Sequence, residues 1–191
     1  MTRTILPAAL LGLVVLAAFS AVAAEDNQPP EGFTALFNGK DMSGWKADKE
    51  GHWKAENGVM VYDGKARDIS TEKAFGDFVL LMDWKIEKGG NSGVFLRGEP
   101  QVEIWDNHQM GSGGIYPEHH KPLKVADKPF GQWNHFEIKL EKGKVTVRLN
   151  GELVLDNYPC KFRKETGPIV LQHHGTPLWF KNIYIKPLAD K

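Results

Sequence analysis

The chain has 191 residues, 24 lysines and arginines against 24 aspartates and glutamates, 41% apolar residues and 25% charged ones. That balance excludes a disordered, collagenous or coiled-coil protein, fits one globular domain, and gives no electrostatic case for a nucleic-acid partner or an anionic membrane. Cys160 is the single cysteine, so the chain has no internal disulfide and must draw its stability from packing or from a metal.

Residues 1–24 read as a signal peptide. Arg3 is followed by an apolar run from Ile5 to Phe19 and then by Ser20-Ala21-Val22-Ala23-Ala24, the three-part layout of a secretory leader, with cleavage expected after Ala23 or Ala24. The run is shorter than the roughly 20 apolar residues that span a bilayer, and no cysteine near the cleavage site invites lipidation. The mature chain of about 167 residues can bury one good core. It is expected to be exported, periplasmic or extracellular, with no stable membrane insertion once the leader is removed. Residues 25–32 are polar, carry Pro29-Pro30, and read as a linker to a domain that begins near Phe33.

Beyond Phe33 the dominant signal is period two. Phe136, Ile138 and Leu140 alternate with His135, Glu137 and Lys139, and Val145, Val147 and Leu149 with Thr146 and Arg148, as in strands with one wet face. Further strands are expected around Trp53 to Ala55, Val59 to Tyr62, Phe78 to Ile86, Ser92 to Arg97, Val102 to Asp106, Ile169 to His173 and Trp179 to Lys186. Asn57-Gly58 and Asn150-Gly151 sit between apolar runs and supply the positive φ of tight hairpins, and residues 141–144 form a third hairpin loop. Residues 107–132, rich in Gly, His and Pro, follow no period and read as a functional loop. No window predicts a helix of three turns, so the chain is all-β. About ten strands without an internal repeat point to a two-sheet antiparallel sandwich of the jelly-roll kind, and an up-and-down barrel fits the same pattern.

Three segments concentrate groups capable of chemistry. In Asn91-Ser92-Gly93-Val94-Phe95-Leu96-Arg97 the aliphatic pair Val94 and Leu96 shares one face, which places Arg97 beside Phe95 on the other. An arginine there either clamps a carbonyl or oxyanion or pairs with a nearby acid. In Gln101-Val102-Glu103-Ile104-Trp105, inward Val102 and Ile104 leave Gln101, Glu103 and Trp105 in a row, the polar, acidic and aromatic set of a sugar-binding surface, though an exposed edge strand carries the same letters. The third segment, residues 167–175, puts Val170, Gln172 and His174 on one face and Ile169, Leu171 and His173 on the other.

Metal ligands are available among the histidines, Glu103, Asp106 and Asp127, so a divalent metal stays open, but no HExxH or EF-hand spacing is present. No GxSxG elbow supports a serine triad, and Gly111-Ser112-Gly113-Gly114 lacks the context of a phosphate loop.

Taken in order, Phe33 to Trp45 (FTALFNGKDMSGW), Asn91 to Arg97 (NSGVFLR), Val102 to Asn107 (VEIWDN), Gly131 to Asn134 (GQWN), Leu149 to Glu152 (LNGE) and Gly167 to Ile185 (GPIVLQHHGTPLWFKNIYI) resemble the motifs of the 3-keto-disaccharide hydrolase domain family. The resemblance runs over residues 33–188. It implies a concanavalin A-like jelly-roll sandwich of two antiparallel sheets, a carbohydrate site on its concave face, and action on glycosides already oxidised to a ketone at C3. Two positions depart from the family wording: His173 stands where an acid commonly precedes the histidine, and Trp105 replaces the usual residue of its segment.

Under that resemblance a base removes the proton at C2, a donor holds the enolate, and the C1 substituent leaves. His174 or Glu103 is then the expected base and Arg97 the enolate or ketone contact. Gln101, Trp105, Gln172 and Asn91 bind the sugar, and Tyr116 or a loop histidine protonates the leaving group. Water either adds back, giving a hydrolase, or does not, giving a lyase. A non-catalytic, lectin-like carbohydrate-binding domain is the competing expectation, because one fold hosts both.

Overall fold

The computed structural model describes residues 26–47, 51–106 and 109–189. The leader expected over residues 1–24 lies outside the described residues, as do Asn107 and His108. Among the described residues the chain forms strands and no helix. The first seven are β1 (Thr34–Ala35), β2 (Trp45–Ala47), β3 (Trp53–Glu56), β4 (Val59–Tyr62), β5 (Ile69–Thr71), β6 (Phe78–Ile86) and β7 (Asn91–Phe95). They are followed by β8 (Gln101–Trp105), β9 (Ile115–Tyr116), β10 (Asn134–Glu141), β11 (Lys144–Leu149), β12 (Glu152–Pro159), β13 (Val170–Leu171) and β14 (Leu178–Pro187).

Two antiparallel sheets result. The larger runs β12-β11-β10-β6-β14-β4-β3, with β1 also paired to β14, and the smaller runs β2-β5-β13-β7-β8-β9. Consecutive strands such as β6 and β7 belong to different sheets, and β14 returns to lie between β6 and β4. An up-and-down barrel would keep chain neighbours paired all the way round, so this connectivity is that of a jelly-roll sandwich.

The alternation of apolar and polar residues builds the core between the sheets. On β6, Phe78, Leu80, Met82, Trp84 and Ile86 point inward and are buried, while their neighbours are half-buried on the other face. Val94, Val102, Ile104 and Leu171 meet them from the smaller sheet and are fully buried. Each such side chain contributes about 1.5–3 kcal/mol relative to exposure. Trp53 stacks on Tyr62 with ring centroids 4.5 Å apart, and the Tyr62 hydroxyl donates to the Ala66 carbonyl at 2.6 Å. The hairpins at Asn57-Gly58 and Asn150-Gly151 have both residues at positive φ, as their sequences require.

Residues 26–32 precede β1 but are tied to the domain. β14 bulges between Lys181 and Tyr184, with Asn182 at φ +53°, and the side chain of Asn182 accepts from the Asn27 backbone N–H at 2.6 Å. Lys181 pairs with Asp26 at 2.7 Å, and the Asn27 amide donates to the Gly58 carbonyl at 2.8 Å.

The two strands that bear most on function are shorter than their sequence pattern. β7 stops at Phe95, and residues 96–99 turn back, with the Leu96 N–H donating to Pro100 at 2.8 Å and Arg97 at φ +55°. β13 keeps only Val170 and Leu171; Gln172 still bonds to β7, while His173 and His174 leave the ladder. Among its described residues the long irregular stretch holds one short strand, β9.

Candidate functional site

The outer face of the smaller sheet, opposite the core, carries a polar group assembled from three strands. Gly93 on β7 is paired with Glu103 on β8, and on its other side the Gln172 N–H donates to the Gly93 carbonyl at 2.9 Å. Gln172, Gly93 and Glu103 thus form one row across the sheet. Because residue 93 has no side chain, Gln101 can reach across it: its Nε2 donates to Oε1 of Gln172 at 2.7 Å. Gln101 is only 3% exposed although it lies on the outer face, so this amide bridge is a fixed feature. An ordered pair of amides offers both donors and acceptors, the complement of sugar hydroxyls.

Glu103 stands at one end of that row, half-buried. Burial pushes its carboxyl above the ordinary carboxylate value, and the nearby His119 offsets part of that rise. Gly114, whose carbonyl accepts from the Glu103 N–H at 3.0 Å, makes room for the carboxylate: a β-carbon on Gly114 would sit 3.1 Å from Glu103 Oε2 and 2.7 Å from the His120 carbonyl oxygen. The turn bearing His119 is closed by reciprocal bonds between Ile115 and His120, of 2.9 and 3.1 Å. Tyr116, 43% exposed, is paired with Gln101 and meets the His119 ring edge-on with centroids 5.5 Å apart. A carboxyl with a raised pKa near an imidazole, which itself meets a phenol, can take up a proton and deliver one.

Of the residues expected from sequence, the structure brings together Gln101, Glu103 and Gln172, with Tyr116 beside them. Arg97 is placed elsewhere. The strand ends before it, so the alternation that set it beside Phe95 on one face does not apply. Its guanidinium pairs with Asp77 and donates through Nε to the Gly76 carbonyl at 2.9 Å, and its Cζ lies 5.0 Å from the Phe162 ring centroid. Asp77 in turn accepts from the Lys142 N–H at 2.7 Å, so this arginine links the β7–β8 turn to the larger sheet. Trp105 closes a small cavity of about 170 Å³ together with Trp84, Val125 and Phe130. Asn91 is paired with Trp105 and is half-buried, and His174 is exposed in the bend after β13.

Sequence reasoning missed two participants. Asp68, just before β5, binds His173: its Oδ1 accepts from the His173 backbone N–H at 2.8 Å and contacts the imidazole Nδ1. The His173 imidazole is therefore oriented by an acid from a distant part of the chain. Gly93 is the other, and His119 is the one among the loop histidines that the structure brings to Glu103. Gly93 is visible only once Gln101 is seen crossing it, and His119 only once its turn is closed.

Among the described residues no three His, Cys, Asp or Glu side chains gather as a metal site. Asp106 accepts from the Gly89 N–H at 2.6 Å and Asp127 from the Ser112 N–H at 3.0 Å, so both carboxylates brace loops. Burial, with Glu118 adding to it, pushes the Cys160 thiol up to about 12, which keeps it protonated and unreactive.

Residues 32–186 match the model of the 3-keto-alpha-glucoside-1,2-lyase-like domain. The chain is 24% identical to a 3-keto-disaccharide hydrolase of Bacteroides thetaiotaomicron, over 83% of this chain and 79% of the relative. A candidate glycosyl hydrolase of Parabacteroides distasonis has a solved structure similar to this one at a TM-score of 0.75 and 28% identity, covering 86% of this chain and 100% of that one. A β-1,3-1,4-glucanase (lichenase) from a mouse hindgut metagenome shares the jelly-roll fold at a TM-score of 0.52 and 13% identity, covering 75% of this chain and 92% of its own.

Proposed function

The chain belongs to the family of 3-keto-alpha-glucoside-1,2-lyase-like domains, and from that membership we propose that it is an exported enzyme that cleaves glycosides already oxidised to a ketone at C3. The observation that carries the reading is Glu103: a half-buried carboxyl of raised pKa at the end of the row that holds the Gln101–Gln172 amide bridge. A relative named for hydrolysis of 3-keto-disaccharides supports the substrate class.

The C3 ketone acidifies the hydrogen at C2. Glu103 takes that proton, and the C2–H electrons pass into an enolate whose oxygen the free amide hydrogens of Gln172 hold. As the ketone re-forms, a C1–C2 double bond appears and the C1–O bond breaks. The departing oxygen takes a proton from the Tyr116 and His119 pair. Glu103 then returns its proton to C2 while water adds its oxygen at C1 and gives its proton back to the Tyr116 and His119 pair, so the net change is hydrolysis; release before water adds makes the same site a lyase. His174, exposed beside Gln172, is the second candidate base, and the burial of Glu103 favours the carboxylate.

The test compares a 3-keto glucoside with the unoxidised glucoside. The chain carries no dinucleotide fingerprint with which to make the ketone itself, so only the oxidised substrate should be turned over. Equal turnover of both would overturn the reading, and binding of sugar without turnover of the ketone would favour the lectin-like alternative.

A further inference from the structure

A second cavity, of about 300 Å³, lies at the Gln101 end of β8. Its walls come from three places. Glu99 and Pro100 lead into Gln101, Pro117 and Glu118 follow Tyr116 on β9, and Phe162 with its neighbours arrives from the β12–β13 loop. The volume is at the small end for ligand pockets and suits one ring rather than a chain.

The lining has two parts. Phe162 and the two prolines supply a C–H and aromatic surface, and Arg97, itself tied to Asp77 and Gly76, holds the phenyl ring from one side at 5.0 Å. Around that surface stand Glu99 and Glu118 against Lys161 and Arg163, with Arg163 Nε 3.0 Å from Glu99 Oε2. Two acids and two bases cancel, so the cavity selects neither an anion nor a cation. A rigid aromatic platform ringed by balanced donors and acceptors complements a neutral ring with an apolar face and a hydroxylated edge.

The cavity also stands in a definite relation to Glu103. The Tyr116–His120 turn separates them: Glu118 lines the cavity, while the next residue, His119, acts on the Glu103 carboxyl. A bond between two rings, one over the amide bridge and one in the cavity, would cross the sheet at Tyr116.

We propose that this cavity is a second sugar subsite, which binds a neutral hexose on the leaving-group side of the scissile bond with Phe162 as its platform and Arg97 as the residue that positions the platform. The inference rests on the proposed function for the word leaving, and on the cavity itself for the word sugar. The preferred substrate is then a 3-keto-disaccharide rather than a 3-keto glycoside of a small alcohol.

The experiment has two readouts on the full mature chain. The first is the ratio of kcat/KM for a 3-keto-disaccharide to that for a methyl 3-keto-glucoside. Phe162→Ala should lower this ratio about five- to tenfold, the worth of one aromatic contact, and Phe162→Trp should restore it. The second is the backbone amide NMR shifts of residues 161–163 during titration with millimolar glucose, expected in the wild type and absent in Phe162→Ala. An unchanged ratio in a Phe162→Ala protein that melts normally overturns the subsite. If neither keto substrate is turned over, the proposed function fails instead and the glucose titration decides alone: shifts that need Phe162 uphold a sugar site, and their absence from the wild type overturns it.

Discussion

Gly93 and Gln101 claim one volume: a β-carbon on Gly93 would stand 1.8 Å from Nε2 of Gln101 and 2.4 Å from its Cδ. The glycine is therefore what lets the amide cross β7 and reach Gln172. Gly93→Ala should displace that amide and destabilise the fold by about 1–3 kcal/mol, the range for forced overpacking. Adding Gln101→Ala removes the clash, so the double variant should recover part of the loss. Denaturant titrations of the four proteins in a mutant cycle test this, and strictly additive effects would contradict the shared volume.

Glu103→Gln separates stability from activity. Burial raises the folded-state pKa of Glu103 above its unfolded value, so the folded state binds the extra proton and the native protein loses stability as pH rises from the unfolded to the folded pKa. Glutamine has no charge to desolvate. The variant should melt at or above the wild-type temperature at neutral pH, and the difference should close in acid below the unfolded pKa. Turnover of a 3-keto glucoside should fall by a factor of about 100 or more, the usual contribution of a general base. In the wild type the acid limb of the pH profile should lie above the ordinary glutamate range.

How far the sequence could be read depends on how many residues carry each signal. β4 and β6 match their period-two windows from end to end, because four and nine alternating residues fix a face. β1, β2, β5 and β9 have two or three residues, too few for any period, and exist because neighbouring strands pair with them. Gln101, Glu103 and Gln172 were legible because they alternate with buried Val102, Ile104 and Leu171. Arg97 was misplaced because a non-glycine residue at φ +55° leaves no mark in the sequence. Asp68 reaches His173 across 105 residues, and no local pattern predicts such a partner.

Arg97 should behave as a structural residue. Its side chain is 9% exposed and that of Asp77 is 18% exposed, so Arg97→Ala strands a carboxylate in a poorly solvated place. Loss of about 3 kcal/mol is expected, within the range for breaking a buried pair, and Asp77→Asn in the same chain should relieve part of it. Chemical denaturation measures both. An enolate-binding arginine would instead leave stability nearly unchanged and lower kcat on every 3-keto substrate alike.

Asp26 and Asn27 anchor to Lys181 and Asn182, and the proposed cleavage after Ala23 or Ala24 would leave both on the mature chain. Intact-mass measurement of exported protein should therefore give a first residue of Ala24 or Glu25. Asn27→Ala removes the side-chain bond to Gly58 and one bond with Asn182, and should lower the melting temperature by a few degrees. A mature protein beginning beyond Asn27 would contradict both the cleavage site and the anchoring role.

Elimination through an enolate leaves an isotopic record. If Glu103 takes the C2 hydrogen, a substrate deuterated at C2 delivers deuterium to a carboxyl that is only half-buried and exchanges with water before any return. A 3-keto glucoside carrying deuterium at C2, turned over in ordinary water, should release a sugar that has lost the label, whether the final step is rehydration or product departure. Direct displacement at C1 never touches the C2 bond, so full retention would argue for that route. Glu103→Gln should abolish exchange and turnover together, because both need the same proton acceptor. Exchange that persists in this variant would move the base to His174, and a Glu103→Gln, His174→Ala double variant would then be the one to lose it.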